Sequence, residues 1–323
     1  MPTRTLILVL IGVAALFVAP LGQGNYILYV LSSWLIFSIA AMGLNLTLGY
    51  AGQVSLAQAA FMGIGAYTTA IMTMAGVHWI IAAPCAMLLC FAVGLVLGYP
   101  ALRVQHHFLA FVTLAFNTLV FLVLRNEDWL TGGSLGLAGI MRPSFFGIST
   151  MSNLAFYYFT LVVFLVAAFA FWWMVHSPWG RAFKALRENP VRANSLGVDI
   201  RLITLLAFAI GSAMGGLAGA LAAPLVQFID PPAFSLVHSL RLLLMVVVGG
   251  SGFYFGPILG AALVILLPEF LRVTDEYYLM IYAASVMVLM IFCPSGIIGL
   301  FQKAAARWRG QRVRGDLQQG AQL

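Results

Sequence analysis

The chain has 323 residues, of which 63% are hydrophobic and only 8% charged, with a formal net charge of +7 and a pI near 9.6. An ordinary soluble domain carries roughly 25% charged residues, and no water-facing fold could hide so much apolar surface. The composition, with a mean hydropathy of +1.02, excludes a soluble enzyme or nucleic-acid-binding protein and predicts an all-α polytopic membrane protein, because a helix satisfies its own backbone hydrogen bonds in lipid.

Apolar runs long enough to cross a bilayer, or nearly so, fall at 5–21, 26–48, 54–74, 79–99, 108–124, 154–175, 202–223, 236–249, 255–271 and 277–293, giving about ten transmembrane helices. The first run follows Arg4 and stops at Pro20; it reads as a retained helix, with a cleaved signal as the alternative. The runs at 236–249 and 255–271 are short for a straight span, which points to broken helices embedded among others. Together they define a transmembrane domain over 1–302, with a cytoplasmic segment at 177–200, and a basic tail over 303–323 that is expected to be disordered.

Orientation follows from Lys and Arg. With the N-terminus inside, Arg4, Arg103, five residues at 181–201 and five in the tail face the cytoplasm, twelve in all, against Arg125, Arg142 and Arg272 outside. Arg241 falls inside an apolar run and is left unassigned. Both termini are therefore expected in the cytoplasm, and contact with anionic lipid accounts for the basic clusters. Cys85, Cys90 and Cys293 show no metal-ligand spacing and read as packing thiols; no metal or cofactor is expected in this chain.

The first run of interest for chemistry contains Gly49, Tyr50, Gly52, Gln53, Ser55 and Gln58. Two glycines three apart permit a chain break, and Ser and Gln offer neutral donors and acceptors to a solute that must bind weakly and leave. A solute path and a tight cytoplasmic turn both fit. A related break follows two hundred residues later at Gly249, Gly250, Ser251 and Gly252, and breaks at corresponding positions in two halves point to a transporter built from repeats. The 125–153 connection, with Thr131 to Leu137 rich in glycine, reads as a docking loop or a solvated linker.

Between them, Pro178 and Pro190 bracket a short amphipathic helix containing Arg181, Phe183, Lys184, Leu186, Arg187 and Glu188, closed by Asn189. Such a helix suits either a lipid surface or a groove in a soluble partner. Neither lysine, Lys184 or Lys303, follows a G-x-x-x-x-G run, so the chain lacks a P-loop and is not expected to hydrolyse ATP.

The run Met42 to Gln58, with Gly63 to Tyr67, Phe111 to Phe116, Thr131 to Gly133, Pro178 to Gly197, Met245 to Gly250, Phe255 to Ala261 and Phe292 to Gly296, resembles the LivM-type permease subunits of branched-chain amino acid ABC importers. The resemblance implies a type II ABC importer permease in the bacterial cytoplasmic (inner) membrane. It also implies a homologous second permease (LivH-like), two cytoplasmic ATPase subunits that use the ATP, and a periplasmic solute-binding protein. The loop 178–197 then corresponds to the coupling helix seated in an ATPase groove; residues 181–189 are expected to transmit the motion, and the residues of the two glycine breaks to shape the solute path. His106, His107, Leu135 and Arg241 depart from the family pattern, which leaves urea, short amides, or aromatic and dicarboxylic acids as alternative solutes and a self-sufficient channel as an alternative function.

Overall fold

The computed structural model describes residues 12–101, 106–145, 148–271, 287 and 296–299. The apolar runs form helices: α1, described over 12–18, α2 (Asn25–Asn45), α3 (Gln58–Met74), α4 (Trp79–Ala101) and α5 (His106–Asn126). After a one-turn α6 (Asp128–Thr131) come α7 (Asn153–His176), α8 (Pro178–Glu188), α9 (Pro190–Ser195), α10 (Ile200–Val226), α11 (Leu236–Gly249) and α12 (Gly256–Leu271).

Among the described residues, six helices are long and apolar enough to cross a membrane, so the expected count of ten is not reached there. The shortfall has a physical reason at α3 and α12, which have 17 and 16 residues and at 1.5 Å per residue fall short of the roughly 30 Å hydrocarbon core. The run at 5–21 is described only from residue 12. The run at 277–293, Arg103, Arg272, Cys293 and the tail 303–323 lie outside the described residues.

The long α10 is the pillar of the bundle, packed against α2, α3 and α4. Its small residues permit this. A Cβ on Gly211 would lie 2.7 Å from the Gly43 carbonyl oxygen, and one on Gly216 would lie 2.7 Å from Cys90 Sγ. Close backbone approach through small residues substitutes for the hydrophobic drive that lipid removes.

The bundle has two distinct ends. At one, Tyr157 and Tyr158 donate their hydroxyls to Leu16 and Phe17 carbonyls, and Leu137–Ala138 pairs antiparallel with Phe228–Ile229, tying the 126–152 connection to the end of α10. At the other lie α8 and α9, with Gly180 pressed onto the Val175 carbonyl where α7 turns into α8. Arg125 and Arg142 sit at the first end, and the basic residues of 181–192 at the second.

Candidate functional site

The two glycine breaks meet at the end that carries α8. Beyond Asn45, α2 continues into a π-helical turn, Leu46–Tyr50, and Gly52 (φ 72°) then redirects the chain. From the other half, α11 stops at Gly249, and Gly250 (φ 114°) and Gly252 (φ 83°) carry the chain round to α12. Gly49 and Gly252 touch backbone to backbone: a Cβ on Gly49 would collide with the Gly252 amide and the Asn45 side chain, and one on Gly252 would lie 2.8 Å from the Gly49 oxygen. Gly249 is equally confined against the start of α12 at Gly256, Gly296 abuts Gly250, and Ser251 is half-buried in the turn.

Asn45, fully buried, staples the two halves. Its Oδ1 accepts the Gly252 N–H at 2.8 Å and its Nδ2 donates to the Phe253 oxygen at 3.0 Å. A buried amide is costly unless its groups are paired, and here donor and acceptor are both used across a sequence gap of two hundred residues.

The helix α8 lies directly against this junction. Arg187 Nη1 donates to the Gly49 oxygen, and the same guanidinium fills the space that a Cβ on Gly252 would need. Gly52 packs on the Arg187 stem, with its Cβ position 3.4 Å from Cγ. Lys184 Nζ stands 5.7 Å from the centroid of the Tyr50 ring, a cation–π contact, and buried Tyr50 meets Phe171 edge-on.

The remaining α8 residues divide by face. Phe183 and Leu186 are buried against their own bundle, and the Asn189 side chain caps α9 by accepting the Arg192 N–H at 3.0 Å. This corrects the expectation of an apolar face free for lipid or a partner: Phe183, Leu186 and Asn189 are engaged within the chain. Arg181 and Glu188 are exposed, beside exposed Trp179, Val191 and Leu196.

Gln53, Ser55 and Gln58 lie on the irregular stretch that climbs from the junction to the start of α3. Gln53 donates its backbone N–H to the Thr47 oxygen at 2.8 Å, while its buried Oε1 has no partner. Ser55 Oγ accepts the Ala57 N–H at 3.4 Å. Gln58 Nε2 donates to the Ala40 oxygen (2.9 Å) and the Gly211 oxygen (3.2 Å), which makes it a buried link between α2, α3 and α10.

The first amides of α3 are capped by side chains from other helices. Thr113 Oγ1 accepts from Leu56, Ser239 Oγ from Ala59, and Asn117 Oδ1 from Ala60, each at 3.0 Å. Ser239 also donates to Asn117 Oδ1 at 3.1 Å. A helix beginning within the bundle must have its orphan N–H groups satisfied by protein; Ser239 and Asn117 do so for Ala59 and Ala60, while Thr113 holds Leu56 just before the helix. Sequence reading overlooked them, and Asn45 as well; the available signal was an isolated amide or hydroxyl in an otherwise apolar run.

Among the described residues, junction and knot are built from neutral donors and acceptors, with cations only at the α8 end. Arg241 is exposed on α11, its Nη2 3.5 Å from the Val264 oxygen, away from the junction. An open groove of about 570 Å³ runs along α5, lined by Leu114, Thr118, Leu122 and Asn126 among others.

Comparison with known proteins agrees with this architecture. Residues 26–293 match the family described as branched-chain amino acid transport system / permease component. The chain is 33% identical over 288 residues to the high-affinity branched-chain amino acid transport system permease protein LivM of Escherichia coli K12, covering 82% of this chain and 68% of that one, and equally so to LivM of Salmonella typhimurium. It is 28% identical over 265 residues to the autoinducer 2 import system permease protein LsrC of Salmonella paratyphi B, covering 78% of this chain and 74% of that one. No solved structure matches. The chain therefore belongs to the family of branched-chain amino acid transport system permease components.

Proposed function

We propose that this chain is the transmembrane subunit of an ATP-driven, binding-protein-dependent importer of branched-chain amino acids or similar small solutes. The observation that carries the reading is the seating of basic α8 on the point where the two halves meet: a helix on the surface of the bundle, bonded to one chain break and packed against the other, is where an external motor would act. The chain has no P-loop of its own, so ATP is consumed by two partner ATPases on the face that bears α8 and α9. That face is cytoplasmic, as are both termini, in a bacterial inner membrane; the 126–152 connection faces the periplasmic solute-binding protein. The groove along α5, which this chain leaves unfilled, supports pairing with a homologous second permease.

In this reading Gly49, Tyr50, Gly52, Gly249, Gly250, Ser251 and Gly252 close the inner end of the solute path, with Gln53 and Ser55 just above them. Gln58 anchors α3 instead. Arg181 and Glu188, with Trp179, Val191 and Leu196, form the surface offered to the ATPase.

The test is leucine uptake into liposomes carrying the assembly purified from its native membrane. Uptake is expected only with internal ATPase, ATP and the binding protein. Leucine or urea flux through this chain without an ATPase would instead establish a self-sufficient channel.

A further inference from the structure

α8 is held to the bundle in two physically different ways. Phe183 and Leu186 make apolar contacts, which resist separation but have no fixed direction. Arg187 makes a directional, charge-assisted bond to the Gly49 carbonyl and lies against Gly252. We infer that Arg187 is the positioning residue that shifts both glycine breaks together when α8 is displaced, a role that rests on the importer reading above.

Three observations carry this. Arg187 is the one described α8 side chain hydrogen-bonded to the bundle, and its bond falls on a backbone carbonyl near the end of a π-helical turn, a departure from α geometry that is frequent at functional sites. Its neighbours Gly52 and Gly252 both have positive φ, where glycine rotates without a Cβ penalty. Asn45 then links Gly252 and Phe253 to the last turn of α2, so a force on the Gly49 carbonyl is shared by both halves. Lys184, one turn earlier, supplies only a cation–π contact with Tyr50 and cannot replace the planar fork.

The experiment measures leucine carried per ATP hydrolysed by the complete ATPase-loaded, binding-protein-supplied complex in liposomes. Arg187→Ala is expected to lower this ratio about tenfold or more with the ATPase still bound, and Arg187→Lys, which keeps one donor, to recover part of it. Gly252→Ala leaves the arginine in place but puts a methyl where its guanidinium sits, and should reproduce the loss even if Arg187→Ala fails to assemble. Arg181→Ala, on the outward face, should reduce uptake and hydrolysis in step and preserve the ratio. A wild-type ratio in either Arg187→Ala or Gly252→Ala, while the wild-type complex remains ATP-dependent, overturns the coupling role alone. Uptake by the wild-type chain without an ATPase overturns the importer reading together with it.

Discussion

The glycine junction under α8 and the polar knot at the start of α3 are built from the same materials and behave differently. In the junction, backbone meets backbone through glycines, several at positive φ, and the closing contact comes from a long, partly exposed arginine. In the knot, Gln58, Thr113, Asn117 and Ser239 are buried and bond to backbone from fixed positions on three helices. The contrast separates a part able to move from a part that anchors: the first has cheap backbone rotations and a lever, the second has neither.

The sharpest way to break that distinction is a methyl in each. Gly49→Ala has no space, because the Asn45 side chain and the Gly252 amide already occupy the Cβ position; a cost of about 3 kcal/mol would cut uptake per assembled complex roughly a hundredfold. Gly215→Ala in the knot meets Gln58 Nε2 at 3.0 Å and Phe61 Cβ at 3.1 Å, side-chain atoms that can shift. Its melting temperature should fall by a few degrees, about 1 kcal/mol, with uptake per molecule retained. Equal transport losses in the two would dissolve the contrast.

Removing the staples is the next largest effect. Asn45→Ala leaves the Gly252 N–H unpaired and the Phe253 carbonyl with only the Gly256 N–H, about 1–3 kcal/mol, and is expected to lower thermal stability and to reduce uptake about tenfold. Asn117→Ala strips a partner from Ala60 and Ser239, with a similar stability loss but unchanged uptake per folded molecule. Gln58→Met, nearly isosteric, forfeits two bonds to helix carbonyls, roughly 1 kcal/mol in a membrane setting. Thermal denaturation in detergent and initial uptake rates, measured on the same preparations, separate these outcomes.

Much of this arrangement was legible in the sequence. The helical runs, the short helix at 178–188 and the correspondence of Gly49–Gly52 with Gly249–Gly252 all follow from composition, proline placement and glycine spacing, and the last pair proves to be a physical contact. What misled was contiguity. Gly49 to Gln58 reads as one constellation, yet Gln58 bonds to Ala40, ten residues back along α2 from Tyr50 and so about 15 Å up the helix axis. The extended stretch between them splits the motif into junction and knot, and periodicity carries no information about an extended climb inside a bundle. The apolar face of α8 was read correctly as a face but not for its occupant, because amphipathicity reports that a surface is covered and never by what.

The smallest effect on the chain itself falls on the remaining face of α8 and α9. Leu196 is 82% exposed and Arg181 and Glu188 are also exposed, so Leu196→Glu or the double change of Arg181 and Glu188 to Ala should alter the stability of the isolated permease by no more than about 0.5 kcal/mol. In the assembled transporter the same changes should weaken co-purification of the ATPase, Leu196→Glu most, since it places a charge where an apolar side chain would be desolvated. A substitution silent in the isolated chain and costly only beside a partner marks a surface kept for docking. If ATPase recovery were unaffected by either change, the motor would have to engage the bundle elsewhere, and Arg187 would be transmitting a force that arrives by another route.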